Sequence, residues 1–201
     1  MDRNSVMSIE ASKPICQVRH FMERDVDVWL AEELRVNAAF GEWFSRRARV
    51  SEQIVFPAER TQVSVMGENG ETDVEATFCT SDGRRYALLI ENKLEHSLKA
   101  EQLSRYRLRG QYGVNYGYWD AFTTVVVAPG AKLLKHTEAI ADTPQISFEE
   151  IASSLLEGHP NIRIRYRAQF LMRAASEQHA AADVEDRFRI EFWKGIYHAL
   201  D

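Results

Sequence analysis

A chain of 201 residues is long enough to bury one hydrophobic core and short for two. With 45% hydrophobic and 27% charged residues it has the composition of a globular protein, and no apolar run approaches the roughly 20 residues of a membrane-spanning helix. The net charge of -5 excludes a global basic field and leaves any grip on phosphates to local patches. The first residues, Met1-Asp2-Arg3-Asn4-Ser5, are acidic or polar with no apolar stretch behind them, so we expect no secretory leader. Two cysteines, Cys16 and Cys79, then read as reduced thiols of a cytoplasmic protein, although a bridge between them is not excluded by sequence.

In chain order, Val26, Leu30, Glu33 and Asn37 fall on one helical stripe, with Leu34 beside it, predicting a helix over Asp25 to Asn37. Phe40, Trp43 and Phe44 form the apolar side of a second amphipathic stretch. Ile54 to Val65 reads as a strand with an early break at Pro57, closed by the turn residues Met66 to Gly70. Thr72 to Cys79 and Tyr86 to Asn92 are strands joined by Ser81-Asp82-Gly83. A helix follows over Leu98 to Arg109, then a glycine- and aromatic-rich loop from Gly110 to Trp119. The β-branched run Phe122 to Ala128, stopped by Pro129-Gly130, is a buried strand. Helices are expected near 147–156, 166–181 and 184–199. Arg163, Arg165 and Arg167 alternate with Ile164 and Tyr166 as one basic, strand-like face.

The two central strands carry the chemistry. Side chains alternate faces along a strand, so Glu71, Asp73, Glu75 and Thr77 share one face, and Ala87, Leu89, Glu91 and Lys93 share one on the next strand. Ser81-Asp82-Gly83 fits a three-residue hairpin loop with glycine in the left-handed position. Thr80 then pairs with Arg84, and counting back along both strands sets Asp73 directly opposite Glu91. A two-residue loop would place them on opposite faces. Opposed Cβ atoms lie roughly 4.5–5.5 Å apart. Two carboxylates that close repel, so one takes a proton unless a cation sits between them. Hard oxygen donors suit Mg²⁺ or Mn²⁺, and such an ion polarises a phosphate and acidifies a bound water. Lys93, on the same face as Glu91, is placed to orient that water or stabilise charge on phosphorus. An ordinary exposed strand end with a Glu–Lys pair would not explain why acid and amine terminate the apolar run Tyr-Ala-Leu-Leu-Ile, nor why an acid stands opposite.

This hairpin resembles the active site of the PD-(D/E)xK nuclease superfamily, with Asp73 as the aspartate and Glu91-Asn92-Lys93 as the (D/E)xK triplet. The literal Pro-Asp is missing, since Thr72 precedes Asp73. Gln102 and Tyr106, four apart on the following helix, match the Gln-x-x-x-Tyr motif of an exonuclease branch, whose residues are thought to position substrate or support the metal. The segment Glu23-Arg24-Asp25-Val26-Asp27-Val28 into Glu32-Glu33-Leu34 resembles the N-terminal pattern of uncharacterised bacterial members. Many members draw a further glutamate from this helix, and Glu33, on the inward stripe, is the candidate.

The resemblance covers about residues 20–130 and implies an α/β restriction-endonuclease-like core of helix, three strands, helix and strand. That core is a mixed central sheet flanked by helices, followed by a helical C-terminal extension over about 131–201, within one domain. It implies Mg²⁺- or Mn²⁺-dependent phosphodiester hydrolysis of nucleic acid, DNA first, in phage defence, restriction or repair. Asp73, Glu91, the backbone carbonyl of Asn92 and Glu33 would serve the metal, Lys93 the water, and Gln102 with Tyr106 the substrate. A second copy of the chain or a partner protein is also open. The alternative is a catalytically silent nuclease-fold module that binds nucleic acid or a protein. The six histidines show no zinc spacing, and no phosphate-cradling glycine loop precedes a helix.

Overall fold

The computed structural model describes residues 16, 18, 21–94, 100–135, 142–157 and 160–176. The first helix, α1 (Glu23–Val36), begins with Glu23 and Asp25 in its first turn, where carboxylates complement the helix dipole, and the Asp25 carboxylate accepts the Met22 N–H at 3.1 Å. Asn37 closes α1 and opens α2 (Ala38–Arg47), its side-chain oxygen accepting the Phe40 N–H at 3.2 Å.

Strand β1 (Ile54–Gly67) pairs antiparallel with β2 (Gly70–Thr80), and its register slips between Val55 and Arg60, around the cis Phe56–Pro57 bond. Pro57 has no N–H to give to a ladder, so the expected early break appears as an irregularity within one strand. The hairpin loop is Glu68-Asn69, with Gly70 at φ +96°.

From Cys79–Arg85 to Val74–Ile90, β2 pairs antiparallel with β3 (Arg85–Asn92) in the register expected from the sequence. Gly83 sits at φ +81°, and the Thr80 N–H donates to Arg84 O at 2.8 Å, closing the three-residue loop. Helix α3 (Ala100–Asn115) crosses over to β4 (Ala121–Ala128), parallel to β3. After the short α4 (Gly130–Lys135) comes β5 (Gln145–Ser147), parallel to β4, so the five-stranded sheet runs β1-β2-β3-β4-β5 and is mixed. Among the described residues two helices follow, α5 (Phe148–Leu156) and α6 (162–176). The order of helices, three strands, helix and strand is the one that the sequence resemblance implies, with the first helical segment split in two.

Alternation along β2 and β3 divides the interior. Val74, Ala76, Phe78, Leu88 and Ile90 face α1, α2, α5 and α6 in the larger core, while Ala87 and Leu89 face Tyr106 and Trp119 on the α3 side.

Two expectations change here. The segment from Gly110 is no loop: α3 runs on to Asn115. A Cβ on Gly110 would stand 2.1 Å from the Phe122 ring, and one on Gly113 would stand 2.1 Å from the Trp119 ring. These glycines let a helix lie close to aromatic rings. The Arg163–Arg167 stretch belongs to α6 and not to a strand, so Arg163 and Arg167 are one helical turn apart on the same face. The region expected at 184–199, the end of that at 166–181, and Leu98 with Lys99 lie outside the described residues. Both cysteines are free thiols. Among the described residues no helix is long and apolar enough to cross a membrane.

Candidate active site at the end of the β2–β3 hairpin

The main-chain pairing of β2 with β3 ends at Val74–Ile90, and one further step sets Asp73 opposite Glu91. There the Asp73 carboxylate replaces a backbone acceptor, taking the Asn92 N–H at 2.8 Å. On the other edge of β3 the Lys93 N–H donates to Val127 O at 2.9 Å, so β4 carries the strand past its last pair with β2. The triplet is thus held from both sides at the point where the hairpin ends.

Glu91 is 2% exposed. Its Oε1 receives Lys93 Nζ at 2.9 Å and Gln102 Nε2 at 2.9 Å. Tyr106, also buried, accepts the Asp73 N–H at 2.9 Å and donates to Ile90 O at 3.3 Å. The one-turn spacing of Gln102 and Tyr106 therefore brings one to each strand of the hairpin. Arg109, a further turn along, ties α3 down by donating to Thr72 Oγ1 and, at 3.1 Å, to Asn69 O, with its guanidinium 4.8 Å from the Tyr106 ring centre.

The carboxylates supplied by α1 are not the expected one. Glu33 does point inward, but Arg163 and Arg167 both donate to its Oε1, and Asn37 Nδ2 donates to its Oε2 at 2.9 Å. It is spent on joining α1 to α6. Glu23 and Asp27, one turn apart at the start of α1, reach the triplet instead. Glu23 Oε2 lies 3.3 Å from Lys93 Nζ, its Oε1 accepts the Leu94 N–H at 2.8 Å, and its carbonyl accepts Asn92 Nδ2 at 2.9 Å. Asp27 Oδ1 accepts the same amide at 2.9 Å. Sequence patterning offered one signal for this pair, two acids four residues apart at a helix start. Asn92 Oδ1 is buried without a hydrogen-bond partner among the described residues.

Charge is crowded at this end of the sheet. Burial, followed by the Glu91 charge, pushes the Asp73 carboxyl up to about 8, against the pull of Lys93. Burial also lifts Asp27 to about 6. For Lys93 burial acts downward, but Glu91, Asp73 and Glu23 together outweigh it and hold the ammonium charged well above the usual lysine range. The Tyr106 phenol is driven far up by burial and then by Glu91 and Asp73.

Among the described residues, no three or more His, Cys, Asp or Glu side chains are gathered closely enough to hold a metal ion between them. That does not suit a zinc cage, which takes four protein ligands, or three with a water. A buried carboxyl pushed up by burial and by the Glu91 charge beside it, at a strand end with main-chain oxygens, does suit a hard ion that keeps most of its waters.

The molecule is an α/β protein with a mixed central sheet flanked by helices. No protein-family model matches the chain, and no curated protein matches it. Among solved structures it has weak similarity to the one described as the structure of an EndoMS–dsDNA2 complex, at 14% identity and a TM-score of 0.33 over 68% of this chain and 49% of that one. The chain spans about half the length of that protein.

Proposed function

We propose that the chain is a metal-dependent nuclease that hydrolyses phosphodiester bonds, with DNA as its substrate and Mg²⁺ or Mn²⁺ as its ion. The observation that carries this reading is the buried Glu91 carboxylate, with Lys93 Nζ at 2.9 Å, opposite Asp73 one register step beyond the last ladder pair, the Asp73 carboxyl being pushed up beside it. Asp73, Glu91 and the Asn92 carbonyl would hold the ion, which supplies a polarised phosphate and an acidified water. Lys93 keeps a fixed positive charge where negative charge grows on the phosphate. Glu23 shares Lys93 and fixes the Leu94 N–H, so it positions the amine; Asp27 and Glu23 O hold the Asn92 side chain. Gln102 orients Glu91, and Tyr106 orients the Asp73 backbone.

A second reading, a nuclease-fold module that binds without cutting, is favoured by the lack of three clustered ligand side chains among the described residues and by the use of Asp73 and Glu91 as internal hydrogen-bond acceptors. Plasmid, linear duplex, single-stranded DNA and RNA, each incubated with Mg²⁺, with Mn²⁺ and with chelator, separate the two. The nuclease reading expects metal-dependent cleavage that falls by about 10²–10³ in Lys93→Ala. Retained DNA binding with no cleavage under any metal favours the silent module, and equal cleavage by the variant refutes the role given to Lys93.

A further inference from the structure

Next to the hairpin end, on the α3 side of the sheet, lies a cavity of about 460 Å³, within the size range of small-molecule sites. Its floor includes Glu75, which is 9% exposed yet makes no hydrogen bond or ion pair with any described residue. Burial pushes its carboxyl up, against the charges of Arg60 and Arg109, and a carboxylate so buried with no hydrogen-bond donor in hand costs free energy. Its wall is aromatic: Tyr112, Tyr118 and the buried Trp119, with Tyr118 55% exposed at the rim. Tyr112 stacks on Tyr116 at 4.1 Å, so the ring facing the cavity is backed by a second one. The charged lining is balanced, with Glu59, Glu68 and Glu75 against Arg60, Arg85 and Arg109.

These features choose among ligands. Balanced charge favours neither a free phosphate nor an ammonium ion. Flat rings favour a flat partner, and stacking of a base on an aromatic side chain contributes about 1–3 kcal/mol. With Arg60 and Arg109 beside it, the Glu75 carboxylate is best met by a partner that presents N–H groups to its oxygens. Guanine is the one base of the four whose pairing edge carries two adjacent N–H donors, N1–H and N2–H, matching two carboxylate oxygens. Glu75 also shares the face of Asp73 two residues along β2, about 7 Å away, within reach of one nucleotide.

We infer that the cavity receives one unstacked base of a bound nucleic-acid strand, and guanine before the others, through the Glu75 carboxylate and the Tyr112–Tyr118–Trp119 wall. The inference rests on the nucleic-acid reading above and adds a base preference to it.

The test is equilibrium binding in chelator, so that no cleavage intervenes. The full chain is titrated with short single-stranded oligodeoxynucleotides that differ at one internal position: guanine, adenine, cytosine, thymine or an abasic site. The guanine oligonucleotide should bind about tenfold tighter than the thymine or abasic one, and Glu75→Gln should erase that margin. Tyr118→Ala, at a half-exposed position, should weaken every base-containing oligonucleotide by about tenfold while sparing the abasic one. Equal affinity for all five, or an unchanged guanine margin in Glu75→Gln, overturns the inference. So does Glu75-dependent binding of spermidine with no oligonucleotide binding, which would make the cavity a cation site. Metal-dependent cleavage without base preference defeats this inference alone; base preference without cleavage leaves it standing and defeats the nuclease reading.

Discussion

Helix α1 carries a partly buried acid–base cluster toward each of its ends, and the two are built on opposite principles. At the C-terminal end, Glu32 and Glu33 meet Arg163 and Arg167, with Arg167 Nη2 2.5 Å from Glu32 Oε2. Acid and base are equal in number there, and the Glu33 oxygens are all taken. At the N-terminal end, Glu23, Asp27, Asp73 and Glu91 crowd around Lys93, so acid exceeds base. A neutralised cluster has no further partner to seek and serves the fold. A cluster with surplus negative charge costs stability unless a proton or a cation is added, and the proposed function assigns it the ion.

The comparison breaks most sharply on stability. Glu33→Ala leaves two guanidiniums facing a buried, empty acceptor position, and should lower the free energy of unfolding by about 3 kcal/mol in a urea titration. Any cleavage per folded molecule should be unchanged. A variant as stable as the parent would show that the α1–α6 pairing does not fasten the fold.

The opposite sign is expected at the other end. The Asp73 carboxyl is raised to about 8 in the fold, against 3.8 as its ordinary value, so between those pH values the folded chain holds a proton that the unfolded chain has lost. Stability therefore falls as pH rises through that window. In chelator, Asp73→Asn should match the parent in thermal midpoint near pH 4 and exceed it by about 4 °C near pH 8, the shift that about 1–2 kcal/mol gives a chain of this size. The same variant should lose stabilisation by added Mn²⁺. A midpoint at pH 8 below that of the parent would contradict the surplus-acid description.

The sequence made the hairpin legible because its register is a local matter. Ser81-Asp82-Gly83 fixes the loop, the loop fixes the pairing, and the pairing fixes which carboxylates meet. Gln102 and Tyr106 were legible for a similar reason, since a one-turn spacing decides what shares a helix face. Glu33 shows where such reasoning stops. Its stripe says correctly that it points inward, but what it meets there is set by residues more than a hundred positions away. The same long-range packing hid the helical run through Gly110 and Gly113, where the rings of Phe122 and Trp119 require the absence of a side chain. Glu23 and Asp27 were overlooked because acids at a helix start are ordinary capping residues until a second element closes over them.

On the proposed function, surplus acid at the hairpin end holds a divalent ion and the balanced cluster does not. Calorimetric titration of the metal-free protein with Mn²⁺ near pH 7.5 tests it most directly, with Glu91→Gln and Glu33→Gln alongside. One site is expected in the parent, retained in folded Glu33→Gln and lost in Glu91→Gln. No uptake by the parent, or undiminished uptake by Glu91→Gln, would contradict it.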